Sequence, residues 1–400
     1  EIKMDIISEL NGKRILIWGY GREGKATEHF LQRCVKPASV DIFEGKKEEI
    51  DEDDYDFIIK SPGIVMNEEN PKYTSETELF LQQFRDQVIG ITGTKGKSTT
   101  SAMLYTVLKA CSGRPVLLLG NIGQPCLDYF EEVTEDTIIV YEMSCHQLAH
   151  TNVSPHIAIF LNLYEEHLDY YGTVEKYFEA KSHIAAYQKS GDYFFVGENV
   201  PQIDTKAQRT VLHQHKGVHY ELKLAGEHNQ YDAQFVERVA ELLGCEKEAV
   251  LKSMADFEGL PHRLQYVGTY RGVRYYDDSI STIPEAAINA AMSIPDAKTV
   301  LIGGMDRGIN YDLLVAFIRE HKEFQFICAY ASGKRIFGEV GDCENCVYAE
   351  DLEQAVEAAV QMTEPGGACI LSPAAASYGY FKNFEERGET FQKYVHAFAQ

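Results

Sequence analysis

The sequence predicts an α/β protein of three domains built on parallel sheets. Three observations carry this. Short apolar runs alternate with amphipathic stretches through all 400 residues, the pattern of strands buried on both faces by crossover helices. Glycine-rich loops twice follow such a run and open a helical stretch, at 19–24 and 93–99. The length is also too great for one core and suits two or three.

Composition narrows the function. Asp and Glu number 61 against 38 Lys and Arg, a formal charge of −23. So acidic a surface repels nucleic acid and anionic membranes, and any bound anion must be held by a few local donors. There is no apolar run of eighteen residues, so no transmembrane helix is expected. Residues 1–11 have neither a basic start nor an apolar stretch, so no secretory signal is expected either. The cysteines are scattered, and only Cys343 and Cys346 form a CxxC, without a second pair or nearby histidines. Reduced, non-ligating thiols in a cytoplasmic protein are the expectation.

The first domain is expected over residues 1–85. GKRILIWGY reads as a strand, followed by GYGREG with Gly19, Gly21 and Gly24, then a helix from Lys25. Such a turn aims backbone N–H groups at a phosphate near a helix N-terminus. Asp41 and Glu44 partly supply the acidic residue that a dinucleotide site wants, and a turn that merely packs helix on strand stays open. The strand DFIIK ends in Ser61-Pro62-Gly63, a loop at a strand's C-terminal edge, where ligands gather in open α/β sheets.

The second domain is expected over residues 86–258. Val88 to Thr92 read as a buried strand, Gly93-Thr94-Lys95-Gly96-Lys97-Ser98-Thr99 as a phosphate loop, and Thr100 to Ala110 as its helix. Glycines let backbone N–H groups wrap phosphates, Lys97 reaches the β/γ oxygens, and the Ser98 hydroxyl suits Mg²⁺. Ile91 occupies the place of the first glycine in the strict phosphate-loop spacing. PVLLLGN then ends at Asn121, and Glu142 closes the strand TIIVYE, where it faces a ligand edge. Taken alone, His167 among Glu165, Glu166 and Asp169 reads as a solvated surface residue, and Lys181 in EKYFEAKSH as a solvated lysine. Asn229 sits near the start of the helix opened by GEHNQYDA.

Gly259-Leu260-Pro261 breaks the helical pattern and marks the last domain, 259–400. Strand–helix alternation resumes there. Asp278 and Ser279 follow the strand GVRYYD, and TVLIGGMDRG ends in a glycine turn.

These ordered words, GITGTKGKST, EMSCHQL, NLYEEHLD, FEAKSH, GEHN, GLPHR and LSPAAAS, resemble the Mur ligases, the ATP-dependent amino-acid-adding enzymes of peptidoglycan synthesis. FKNFEERGETF resembles the glutamate-adding branch, and the likeness spans the whole chain. It implies a Rossmann-like first domain for the UDP-sugar substrate, a central ATPase domain of phosphate-loop type and a Rossmann-like last domain for the amino acid. It further implies that ATP phosphorylates the carboxylate of UDP-N-acetylmuramoyl-L-alanine and that the amine of glutamate attacks the acyl phosphate. Both steps concentrate negative charge and call for cations and backbone donors.

By the same resemblance Lys97, His167 and Lys181 are catalytic. Residues 93–99 with Asn229, Arg263 and Asp278 bind ATP. Gly19, Gly21, Ser61 and Asn121 bind the UDP substrate, and Arg307, Ser377 and Phe384 hold glutamate. Two Mg²⁺ sites are implied, drawing on Ser98, Glu142, His167 and Lys181, with Lys181 carbamylated so that it offers oxygen to a hard cation. A monomer without nucleic-acid or membrane partners is the expectation.

The family's lysine after Asp-Ser is absent from Asp278-Ser279-Ile280-Ser281-Thr282, and Arg307 stands where many relatives keep a lysine. A guanidinium still grips a carboxylate bidentately. WGYGREG, KSPGI and DDSIST also resemble a sister group that adds L-glutamate, so both enantiomers stay open, with D-glutamate favoured. A dinucleotide oxidoreductase leaves the phosphate loop unexplained. A folylpolyglutamate synthase would typically lack a first domain of this kind, and a non-catalytic relative would be expected to lose Lys97, His167 or Lys181.

Overall fold

The computed structural model describes residues 5–66, 68–120, 124–164, 174–214 and 219–400. The chain divides into two compact units, Glu1–Glu258 and Gly259–Gln400. The first unit carries two sheets. β1 (Arg14–Trp18), β2 (Ser39–Phe43), β3 (Phe57–Lys60) and β4 (Tyr73–Thr74) form one, in the order β2-β1-β3-β4. β5 (Val88–Thr92), β6 (Val116–Leu119), β7 (Ile138–Glu142), β8 (Ile157–Phe160), β9 (Tyr193–Gly197) and β10 (Gln208–Leu212) form the other, in the order β10-β9-β8-β5-β7-β6. The pairings within both are parallel.

One apolar cluster runs through both sheets. Ile15, Ile17, Phe30 and Phe80 belong to it together with Leu119, Tyr141 and Phe160. The segments expected as 1–85 and 86–258 therefore share a core.

The second unit holds β11 (Gln265–Tyr270), β12 (Val273–Asp277), β13 (Ala297–Ile302), β14 (Gln325–Ala329), β15 (Cys346–Ala349) and β16 (Ala368–Leu371). Their order is β11-β12-β16-β13-β14-β15, parallel except for the β11–β12 hairpin. Arg271 and Gly272 turn that hairpin with positive φ at both, the geometry of a two-residue loop.

In each sheet successive connections leave one strand in opposite directions, which opens a crevice at the strands' C-terminal ends. The switch lies between β1 and β3, between β5 and its neighbours β7 and β8, and between β13 and β16. The loops singled out in the sequence emerge there: 19–21 and 61–63, 93–99 with Glu142, and 303–307 with 372–377.

Candidate active site

β5 is buried along its whole length, and the phosphate loop leaves its end. The helix it opens runs Lys97–Cys111, three residues earlier than its apolar pattern indicates, so Lys97, Ser98 and Thr99 form its first turn. Gly96 is the N-cap, at φ +83°. A β-carbon there would lie 2.5 Å from Asp232 Oδ2, so this position needs glycine for both conformation and space.

The loop's shape is imposed by the segment that follows β8. Asn162 Oδ1 accepts the backbone N–H of Thr94 and of Lys95, both at 3.0 Å, and Asn162 Nδ2 donates to Lys95 O at 2.9 Å. Tyr164 N donates to Thr94 Oγ1 at 3.0 Å. Asn162 was missed in the sequence. The signal available was an asparagine closing an otherwise apolar strand.

Lys97 Nζ donates to Gly93 O at 2.9 Å and Thr94 O at 3.3 Å, so the ammonium lies on the loop's own carbonyls. Ser98 Oγ donates to Glu142, 3.1 Å from Oε1 and 3.3 Å from Oε2. A hydroxyl and a carboxylate side by side are the oxygen donors a hard divalent cation takes, and they fit Mg²⁺ at the edge of the phosphate loop.

The reading of Lys181 as solvated is wrong. It is 1% exposed, on the helix Val174–Ala186, and its Nζ donates to Thr92 Oγ1 at 3.2 Å and Gly93 O at 2.9 Å. The residue's neighbours in sequence are polar, and only packing of the helix against β5 reveals the buried face. Burial, and then the charge of Lys97, push its amine down to about 7. A neutral amine has two N–H groups, which the two acceptors occupy, and a lone pair left for chemistry. His167 and Asn121 lie outside the described residues.

A cavity of about 370 Å³ opens beside the loop, between Lys95, Gly96, Asn162, Tyr164, His228 and Asp232. Asn229 does not line it. Asn229 is buried, and its Nδ2 donates to Ala225 O at 2.8 Å. From the helix Glu227–Leu242 the residues that line the cavity are His228, Tyr231 and Asp232. The residue brought to the cavity is Asp232, whose carboxyl burial pushes up to about 8.

At the first sheet's switch point Gly19 adopts φ +91°, and a β-carbon there would meet Ser61 Oγ at 2.5 Å. Ser61 Oγ instead donates to Gly19 O at 3.1 Å, which ties the two loops together. Gly21 caps the helix Arg22–Cys34. Lys60, buried, donates to Ile64 O at 2.8 Å and steadies the same loop.

In the second unit Asp278 is buried. Its Oδ1 accepts from Leu264 N at 3.0 Å and its Oδ2 from Ser281 Oγ at 2.6 Å and Ser372 Oγ at 2.8 Å. Burial raises it to about 6. Half-buried Arg263 lies in the turn where His262 and Leu264 both have positive φ. Arg307 is exposed, its guanidinium 5.5 Å from the centre of the Tyr378 ring. Ser377 is buried, and Phe384 begins the helix Phe384–Ala399 with its ring edge-on to His262. The two cysteines of the CxxC face different partners. Cys343 Sγ lies 2.6 Å from Lys322 Nζ, and Cys346 Sγ lies 3.5 Å from Cys328 Sγ.

A phosphate loop at a switch point, with a lysine, a hydroxyl and a carboxylate at its mouth, defines an enzyme driven by a nucleoside triphosphate. Residues 91–212 match the model of the Mur ligase middle domain. The chain is 32% identical to UDP-N-acetylmuramoylalanine–D-glutamate ligase of Geobacillus kaustophilus, over 98% of this chain and 94% of that one. It is 30% identical to the enzyme of the same name from Aquifex aeolicus, over 96% and 98%. A solved structure, UDP-N-acetylmuramate-alanine ligase MurC of Thermotoga maritima, is 17% identical over 96% of this chain and 99% of that one, with a TM-score of 0.45. The chain belongs to the Mur ligase family and is an ATP-dependent, amide-bond-forming ligase. Among the described residues no helix is long and apolar enough to cross a membrane.

Proposed function

We propose that this ligase joins D-glutamate to UDP-N-acetylmuramoyl-L-alanine through an acyl phosphate, releasing ADP and phosphate in the cytoplasm. The observation that carries the reading is the grouping of Lys97, Ser98, Glu142 and Lys181 around one phosphate loop, in a chain alike over nearly its full length to relatives named for that reaction.

A carboxylate is a poor electrophile, so it must be activated before an amine attacks it. Lys97 and the loop's N–H groups stabilise the charge that builds on the transferring phosphoryl group. Ser98 and Glu142 would hold Mg²⁺ there, which would supply further neutralisation of that charge. Lys181 enters as a carbamate. Its support is the buried amine with two hydrogen bonds and a pKa lowered to about 7, so that a substantial share is in the neutral form that adds CO₂. His167 and Asn121 keep their assigned roles, at the metal and the muramoyl substrate. Residues 1–85 bind the UDP substrate, 86–258 bind ATP, and 259–400 bind the amino acid. Exposed Arg307 grips a glutamate carboxylate, with Ser377 and Phe384 completing that pocket.

The test is ADP release with ATP, Mg²⁺, UDP-N-acetylmuramoyl-L-alanine and each enantiomer of glutamate. Turnover with D-glutamate is expected. Turnover with L-glutamate alone would reassign the stereochemistry and leave the reaction standing. Turnover with neither would refute the reading.

A further inference from the structure

We infer that Arg387 is a positioning residue for both ligands of the second unit: one buried guanidinium on which the loops carrying Asp278, Arg307, Ser377 and Phe384 converge. The inference rests on the proposed ligase reading, in which Arg307, Ser377 and Phe384 hold glutamate and, by the family resemblance, Asp278 holds ATP.

Arg387 lies in the first turn of the helix Phe384–Ala399 and is 1% exposed. Its Nε donates to Ser279 Oγ at 3.0 Å, its Nη2 to Ser279 O at 2.7 Å and its Nη1 to Ala375 O at 2.9 Å. Ser279 Oγ in turn donates to Phe384 O at 2.7 Å. One side chain thereby binds the loop after β12, the loop after β16 and the start of its own helix. The loop after β13 packs on the same group, for a β-carbon at Gly304 would lie 3.1 Å from Nη1. That loop is also pinned to the one after β16, by Met305 N donating to Ala376 O at 2.9 Å and Gly303 N to Pro373 O at 2.7 Å. Asp278 precedes Ser279 directly, and Ser377 follows Ala375 by two residues.

Stability alone does not account for this group. The three acceptors are neutral, and burial draws the guanidinium down to about 9, against the opposing charge of Asp277. It therefore stays protonated at neutral pH and bears the desolvation penalty of a buried cation. An apolar side chain of similar volume avoids that penalty, and such exchanges are often neutral or stabilising. What an apolar side chain cannot do is hold two separate backbone segments at fixed distances with a rigid planar fork.

The experiment compares wild type with Arg387→Met and Ser279→Ala. Thermal denaturation is followed by KM for ATP, glutamate and the UDP substrate. For Arg387→Met the expected result is a folded protein with both KM(ATP) and KM(glutamate) raised about tenfold or more, since displacements near 1 Å commonly cost that much. KM for the UDP substrate, assigned to the first unit, should stay within about twofold, well short of that loss. A folded variant with KM for ATP and glutamate both unchanged, or with all three raised alike, overturns the inference. If Arg387→Met does not fold, Ser279→Ala decides. It removes only the oxygen between Nε and Phe384 O, and unchanged KM for ATP and glutamate would again overturn it. If wild type turns over neither glutamate enantiomer, the ligase reading has failed and hydrogen exchange decides this inference. Amides in 279–281 and 375–377 should exchange faster together in the variant, and protection retained in either loop overturns the coupling.

Discussion

Gly96→Ala tests the phosphate loop at its tightest point. The backbone sits at φ +83° and ψ −2°, where a β-carbon costs about 1–2 kcal/mol in conformation alone. The new carbon would also start 2.5 Å from Asp232 Oδ2. A comfortable carbon–oxygen contact needs about 0.8 Å more, and Asp232 is buried, so part of the movement falls on the loop. Loop displacement of that size costs up to about a hundredfold in rate. Together they predict that kcat/KM for ATP falls about a hundredfold or more in an ADP-release assay. Asp232→Ala removes the opposing oxygens and leaves the conformational term, so in that background the same glycine change should cost only about tenfold. An equal loss in both backgrounds would refute the steric argument. A Gly96→Ala enzyme within about threefold of wild type would refute the placement of the loop.

Lys97→Ala should lower kcat more than about a hundredfold while the thermal transition persists, because it removes a transition-state contact. Retention of a tenth of wild-type activity contradicts that role. Lys181→Ala should be nearly inactive and partly restored by acetate or formate, which place an oxygen ligand in the vacated space; rescue by small amines alone would make Lys181 a plain cation. Asp232→Asn bears on pH. The carboxyl's folded pKa, about 8, lies above its unfolded value, so the folded state binds the extra proton and this group's contribution falls as pH rises from about 4 to 8. Melting temperatures across that range should show the variant gaining on wild type up to about pH 8 and holding its lead above it; a constant difference rules out a buried, titrating carboxyl.

The sequence determined what depends on neighbours along the chain. Apolar runs and glycine turns fixed the strand–helix alternation, because a buried strand and a tight turn each require residue types over a few consecutive positions. Gly93 to Thr99 announced a phosphate loop by themselves, and Gly19, Ser61 and Glu142 were legible as the ends of strands.

Tertiary structure decided what depends on residues far apart in sequence. Asn162, 67 positions beyond Lys95, shapes the loop through its amide. Lys181 passes from a solvated to a buried amine only when its helix closes over β5. Arg387 reaches Ser279 across 108 positions. Asp232 reaches the cavity beside Gly96 only because its helix packs next to the phosphate loop. Local pattern sets which element forms and which face is apolar. Burial, hydrogen-bond partners and pKa arise from the packing of elements, and no short window of sequence contains both partners.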